Sequence, residues 1–564
     1  MTPGTPGKSR LRKAVDLGMA VFFVAYLVIG LLLVPNYGLS ADDEVQRKHS
    51  LVNYKYINKV LLGRDVPGLE NVVDLAEYDQ YYGVALQMPM VLYEDLNHFS
   101  LSKREIYLSR HYCIFVMCVL GMVFFYLALR KIFPESPAVP AFGTLMVALY
   151  PRFFGGQFVD VKNRLFAATC MLVLWLLVMA VETKKPVWQI LFGFGTALAV
   201  NTRVMAVIFP ALYVGYFLCV DVTEAVLRKR HPETAAPAKK AAFLWKYVIA
   251  ALAFLAFWFV ITPKAWTEGN PVFTLFATFK RFSHFDHWNG TMVFMGRKIR
   301  CSGMPWYYLF VWFALTIPVL FLLLFALGHG SFLRRICRSR TWWQDLLTTH
   351  KWFACAFALF WGSVWAVILL HSRIYVGWHH LYFVFVPMVV LMCYGLEPLL
   401  RREKLRPFAA GALAVNLALL GVWIARNHTW ETAYFNVVGS QVAEKFDRGE
   451  TKPSTLSLCR WILANEPGDF TVQWKKTSYP LLTEEEKRRV TQTSENPDYI
   501  IENFRNRIGN EYEYEGYEEV YAVWINRYKV GAVYKRLEGY EAAQEEEPEA
   551  ADDTEEAGEA EEEV

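Results

Sequence analysis

The sequence predicts a polytopic α-helical membrane protein of about eleven spans, with a small α/β or α+β domain outside the membrane near the C-terminus. Three observations predict it. Of 564 residues, 54% are hydrophobic and mean hydropathy is +0.21, higher than a soluble domain averages. Apolar runs of about 20 residues, the length that crosses a hydrocarbon core, recur up to residue 425. When those runs are threaded alternately, the basic stretches between them fall on one side.

The runs are 15–36, 112–130, 137–151, 164–183, 188–202, 203–220, 247–263, 306–328, 352–371, 380–398 and 407–425. The third, fifth and sixth are short, which leaves tilted, re-entrant or merged segments open. Lys8, Arg10, Arg12 and Lys13 precede the first run and place the N-terminus in the cytoplasm. Alternation then puts Arg130–Lys131, Lys184–Lys185 and the basic stretches 228–240, 334–340 and 401–406 on the same side. The first run is too long for a cleaved leader, and no small-residue cleavage site follows it.

Residues 1–426 thus read as the membrane body. Its outer face carries a long loop at 37–111, turns at 152–163 and 372–379, and a loop at 264–305. Residues 427–540 read as an external domain. "TLSLCRWILAN" has helical spacing, and "DFTVQW", "PDYIIEN", "EVYAVWIN" and "KVGAVYKR" read as short strands. The tail 541–564 is almost all acidic or small and reads as disordered, so the net charge of +4 conceals a basic body. The nine cysteines have no metal-binding spacing, and most lie in apolar runs. Cys301 and Cys459 fall in external segments, where a bridge is open.

Polar, aromatic and ionisable residues collect at this outer face rather than at mid-span. That favours chemistry at the interface over transport. Asp42, Asp43 and Glu44 follow the first span directly. Carboxylates there can act as general base or hold a divalent cation; they also make a good helix N-cap. In "YPRFFGGQFVDVKNRLF", Arg152, Asp160, Lys162 and Arg164 share a tight turn, which suits a phosphate or snorkelling at a helix end. Arg203 sits at a helix junction in an apolar region and needs an anion partner. His284, Asp286, His287 and Trp288 lie together in the aromatic loop 264–305, which also holds the sequon at Asn289. Arg373, Tyr375, Trp378, His379 and His380 occupy another outer turn.

Taken in order, these pieces resemble the GT-C superfamily of membrane glycosyltransferases, the polyprenyl-phosphate-sugar users related to protein O-mannosyltransferases and to the bacterial aminoarabinose transferase. The matching residues are Asp43-Glu44; Pro151, Arg152, Phe153, Phe154, Gly155, Phe158 and Lys162; and Arg203. Further on they are Trp266, Pro271, Gly296, Pro305, Trp306, Tyr307 and Tyr308; Tyr375, Gly377, Trp378 and His380; and Tyr434-Phe435-Asn436. The resemblance spans roughly residues 15 to 540. The chain departs from the pattern in three places. It reads "DVKN" where the family reads "NPKD", so Asn163 stands at the acidic position and Asp160 supplies the acid. His379 replaces an arginine. The signature that follows "YFN" is missing.

The resemblance implies transfer of a sugar from a polyprenyl phosphate to an acceptor hydroxyl on a protein, lipid or glycan, with inversion. Asp43 would be the general base, with Asp42 beside it. Glu44 or Asp160 would orient the acceptor or a cation. Arg152, Lys162 and Arg203, with His379 and His380, would hold the donor phosphate. Trp266, Trp306, Tyr307, Tyr375 and Trp378 would contact sugar or lipid. No cofactor follows beyond a possible divalent cation, and no nucleic acid partner. The flavour of the motifs suggests a bacterial inner membrane. The rivals are a transporter or flippase of a lipid-linked or anionic substrate, and an inactive scaffold of the same fold.

Overall fold

The computed structural model describes residues 6–183, 185–230, 242–283, 289–339, 341–474 and 478–540. Lys184, most of the 228–240 stretch, the His284, Asp286 and His287 cluster with Trp288, and the tail 541–564 lie outside the described residues.

Among the described residues, eight helices are long and apolar enough to cross a membrane: Arg10–Asn36, Lys103–Ile132, Asn163–Thr183, Val204–Leu227, Leu244–Ile261, Lys351–Leu369, His379–Arg401 and Arg406–Arg426. Three of the eleven expected spans fall short. Ala138–Ala148 has 11 residues, about half the length that hydrocarbon requires. Pro186–Thr202 has 17. The run 306–328 is broken into Tyr308–Thr316 and Val319–Ile336, because Pro318 can neither donate to nor fit inside a helix. The freed carbonyls of Ala314 and Ile317 accept from the Asn436 amide, each at 2.7 Å. Asn436 thereby ties the segment after the last span to this break.

Where two helices cross closely, glycine makes room. A Cβ on Gly395 would lie 2.1 Å from the Leu324 carbonyl oxygen, and one on Gly328 would lie 2.2 Å from that of Leu391. Small residues at such crossings let backbones approach in lipid. Gly395→Ala is therefore expected to lower stability by about 1–3 kcal/mol, read as a lower melting point of the detergent-solubilised protein.

The stretch 37–111 is folded. It holds the helices Asp43–Leu62 and Met88–Leu96, and the first nine residues of Lys103–Ile132, whose start is fixed by a Ser102–Glu105 capping box. Glu94, fully buried, joins them. It accepts from Arg47 at 2.7 and 3.0 Å and faces Arg110 at 3.3 Å, while Arg110 reaches Gln87 at 2.7 Å. A carboxylate so enclosed needs such partners.

Two sheets follow. Strands β1 (Thr291–Phe294) and β2 (Arg297–Arg300) form a hairpin that the periodicity did not suggest. Its signal is the two-residue turn Met295-Gly296, both with positive φ, 53° and 77°. Strands β3 (Phe470–Trp474), β4 (Val490–Gln492), β5 (Tyr499–Asn503), β6 (Tyr517–Ile525) and β7 (Tyr528–Arg536) form a C-terminal sheet in the order β4-β3-β5-β7-β6. β3 runs parallel to β4 and β5, and β7 antiparallel to β5 and β6. Helix Leu456–Asn465 packs on β7, where Leu458 approaches Gly531. Cys301 and Cys459 are both buried and unpaired.

Candidate functional site

Five stretches far apart in sequence meet at one end of the helical bundle: the start of Asp43–Leu62, the turn 157–163, Arg203, the turn 372–380, and the segment 447–452 with Arg505.

The acids come apart first. Asp42 holds the N-cap position but its side chain caps nothing, and it is open to water. Burial nevertheless pushes its carboxyl above the usual range, Asp160 and Glu450 adding to the rise and Lys162 and Arg203 opposing it. Asp42 is thus open to solvent yet crowded by protein, as a side chain lining an open recess is. Asp43 turns the other way. Only 3% exposed, it accepts from the Ser40 N–H at 2.7 Å and faces His111 Nε2 at 3.3 Å. Glu44 is exposed on the neighbouring side, towards Tyr107.

The turn after Gly156 is organised by Asp160. Its Oδ1 accepts from the N–H groups of Lys162 at 3.1 Å and Asn163 at 2.6 Å, and its Oδ2 takes Arg164 Nη1 at 2.6 Å. Burial works to raise this carboxyl, but Arg164, His379 and the Asn163 N–H outweigh it and hold it below its usual range. Arg164 also lies over the Tyr382 ring at 3.8 Å. Asn163 accepts from Arg203 Nη2, so the amide at the displaced acidic position serves to aim a guanidinium.

Lys162 lies over the Tyr82 ring at 4.2 Å. Burial, then the charge of Arg203, pushes its ammonium down to about 8, against the pull of Asp42, Asp160 and Asp79. Tyr82 in turn packs at a tilt against His49, 4.1 Å between centroids. Burial and the nearby lysines lower His49 to about 3, so that it is neutral. Arg203 Nε is buried without a hydrogen-bond partner among the described residues, as is His380 Nδ1.

The turn 372–380 contains Val376 at φ 54°, a strained conformation for a β-branched residue, followed by Gly377 at 71°. It presents Tyr375, His379 and His380 together: Tyr375 to His380 is 4.4 Å between centroids, and His379 to His380 is 3.8 Å. Tyr375 feels Asp42 and Glu450, which together with burial raise its hydroxyl pKa.

Other expected residues lie elsewhere. Arg152, 2% exposed, donates to the Tyr434 carbonyl at 2.7 Å and lies over the Trp312 and Phe435 rings; it anchors the segment after the last span. Trp378 is fully buried, bonded to Thr316 Oγ1 at 2.9 Å and packed on Tyr382 and Phe313. Trp266 donates to the Phe259 carbonyl at 2.6 Å. Trp306 and Tyr307 are exposed, 65% and 40%, and Trp306 packs edge-to-face with Phe310.

The sequence reading missed Glu450 and Arg505, whose side chains face each other at 3.5 Å. Burial raises the Glu450 carboxyl, but Arg505, His379 and Lys452 more than reverse this. The signal was the charged, glycine-bearing turn "FDRGET" just past Tyr434-Phe435-Asn436. With Asp160 set against Arg164 and Glu450 against Arg505, Lys162 and Arg203 are the cations whose charges, among the described residues, act on Asp42. Two cations beside a carboxylate have the chemistry to hold an anion next to a base. Among the described residues, no group of three His, Cys, Asp or Glu side chains is placed to hold a metal ion.

A family model described as dolichyl-phosphate-mannose-protein mannosyltransferase matches residues 107–239. No curated protein sequence matches the chain. Among solved structures, the chain is similar to ArnT from Cupriavidus metallidurans bound to undecaprenyl phosphate. Identity is 12%, coverage is 93% of this chain and 99% of that one, and the TM-score is 0.44. It is also similar to the Archaeoglobus fulgidus oligosaccharyltransferase tethered to an acceptor peptide, at 13% identity, 86% and 69% coverage, and TM-score 0.43. A third is AglB from the same organism, in complex with an inhibitory peptide and a dolichol-phosphate, at 12% identity, 87% and 65% coverage, and TM-score 0.42.

Proposed function

We propose that the chain is a membrane glycosyltransferase that moves a sugar from a polyprenyl-phosphate donor to an acceptor hydroxyl at the outer face of the membrane, with inversion. The observation that carries the reading is the pairing of charges in the recess. Lys162 and Arg203, left over after the internal ion pairs, stand opposite the water-accessible Asp42. The matched family model over residues 107–239, which include Lys162 and Arg203, supports it.

In this reading the base is Asp42 rather than its buried neighbour Asp43. The acceptor oxygen attacks the anomeric carbon as its proton passes to the Asp42 carboxylate. The bond from the anomeric carbon to the phosphate oxygen breaks, and its electron pair leaves with the lipid phosphate. Lys162 and Arg203 meet that charge as it grows. A carboxyl raised above its ordinary range is the better base, since its pKa lies nearer the working pH. Phosphate is a competent leaving group, so positioning and charge stabilisation suffice.

The test is release of polyprenyl phosphate from radiolabelled polyprenyl-phosphate sugars by purified full-length protein, with a cell-envelope extract as acceptor. No turnover with any donor, from folded protein, would return the weight to transport or scaffolding. The pH dependence is a second test. Lys162 is charged below about 8 and neutral above, so donor affinity is expected to fall as pH rises through that value. Binding near pH 8 should be accompanied by proton uptake, because the phosphate favours the ammonium. Lys162→Met should flatten the profile; an unchanged profile would remove Lys162 from phosphate binding.

A further inference from the structure

We infer that the external domain belongs to the active site: through Ser478, Pro453 and Arg460 it fixes the segment that carries Asp42, and Ser478 and Arg460 are positioning residues for the base. This rests on the function proposed above. It gives the part of the chain after the last span a task in the reaction beyond packing or docking an acceptor.

The segment has little structure of its own. After the first span comes a single tight turn, Val34–Asn36, and residues 37–42 then lie outside any helix or strand until Asp43–Leu62 begins. Irregular backbone at a membrane surface must find its hydrogen bonds elsewhere. Here each residue from Pro35 to Leu39 finds one in the chain after the last span. The Pro35 carbonyl accepts from Arg460 Nη1 at 3.1 Å. Asn36 Nδ2 lies 3.0 Å from His428 Nε2. The Tyr37 hydroxyl donates to Glu431 Oε1 at 2.9 Å, an oxygen that His428 Nδ1 also meets at 3.0 Å. The Gly38 N–H donates to the Pro453 carbonyl at 2.8 Å, and the Leu39 N–H to Ser478 Oγ at 2.9 Å. The packing is as close as the bonding. A Cβ on Gly38 would sit 1.9 Å from Ser478 Oγ and 2.9 Å from the Pro453 carbonyl oxygen. A run tied at every residue can shift only by breaking several bonds together.

The ties lead back to ordered elements. Arg460 belongs to helix Leu456–Asn465, and its Nε meets Glu486 Oε1 at 3.1 Å. Thr455, just after Pro453, accepts from Trp474 Nε1 of β3 at 2.9 Å, which joins that turn to the sheet. Ser478 is fully buried, and the nearby Leu481 carbonyl accepts from Arg104 Nε at 3.2 Å. Arg104 lies at the start of Lys103–Ile132, the helix whose His111 faces Asp43. On the other side of the segment, the Ser40 N–H bonds to Asp43 at 2.7 Å, and the Asp42 carbonyl accepts the Gln46 N–H at 2.9 Å. The Asp42 carboxylate itself caps nothing. Its place is therefore set by backbone: the helix that follows and the domain-bound run that precedes. A base must stand within hydrogen-bond reach of the proton it takes, and a displacement of about 1 Å can cost about a hundredfold.

The test uses the full-length protein in nanodiscs and two variants that attack the tie from opposite partners, Ser478→Ala and Gly38→Ala. Each is expected to lower release of polyprenyl phosphate by about 10- to 100-fold at saturating donor, and to leave binding of sugar-free polyprenyl phosphate within about twofold. Hydrogen exchange read by mass spectrometry should quicken over residues 37–42, while β5 and β7 stay as protected as in wild type. The decisive arm is a double-mutant cycle with Asp42→Asn. If Ser478 acts through Asp42, Ser478→Ala costs little further once residue 42 cannot take a proton. Losses that multiply would overturn the inference, since Ser478 would then serve general stability. So would slower turnover with exchange over 37–42 unchanged, or an effect confined to the KM of the acceptor. A wild type that releases no polyprenyl phosphate would defeat the proposed function, and normal turnover by Asp42→Asn would defeat the choice of base. In either case, unchanged exchange over 37–42 in Ser478→Ala would overturn the domain's hold on the segment, and faster exchange would uphold it.

Discussion

Asp42→Asn is expected to lower release of polyprenyl phosphate by two to four orders of magnitude while leaving donor affinity nearly unchanged. A positioned general base contributes about 10²–10⁴-fold. Asparagine keeps the volume and the hydrogen bonding of the side chain but cannot take the acceptor's proton. Asp43→Asn should behave differently. Its amide oxygen still accepts from the Ser40 N–H, and what it loses is the charge facing His111 inside the protein. Turnover should fall less than about tenfold and stability by about 1 kcal/mol, the size of one altered buried hydrogen bond. If the ranking is reversed, with Asp43→Asn inactive and Asp42→Asn active, the base lies behind the wall of the recess and the exposed carboxylate has another task.

Arg164→Met carries the largest expected cost in stability. Arg164 is 1% exposed, and its partner Asp160 is the hub of the turn, accepting two backbone N–H groups besides the guanidinium at 2.6 Å. Removing one member of a buried ion pair leaves the other charged and uncompensated, at about 3–5 kcal/mol. Asp160 would meet this partly by taking up a proton. The loss should therefore be greatest at neutral pH and smaller in acid, once the unpaired carboxyl is protonated. Melting curves of the solubilised variant at several pH values read both effects. Turnover should fall too, since Lys162 and Asn163 are placed by the same turn. A melting point within a degree or two of wild type would show that the ion pair is not what holds the turn.

Much of this could be read along the chain. The apolar runs, the strands near Val472, Ile500, Val523 and Val533, and the order of acids, cations and histidines along the chain are local signals, because periodicity and charge need no partner. The spans at 137–151 and 306–328 failed for reasons that hydropathy averages away: an 11-residue helix is still apolar, and Pro318 breaks a run without making it polar. Arg152 and Trp378 had the right residue type for phosphate and sugar. Which way they point depends on Tyr434 and Thr316, hundreds or tens of positions away.

The sequence by itself determined that the chain is a membrane protein with a sheet-bearing C-terminal part, and which short stretches carry its ionisable chemistry. Tertiary structure alone decided which of three consecutive acids reaches water beside the cations. One residue's step along a helix turns a side chain by about 100°, so Asp42, Asp43 and Glu44 face three different surroundings. Tertiary structure also decided that Glu450 and Arg505 join them, because a charge is assigned its role by the groups that surround it in space, and these come from opposite ends of the chain.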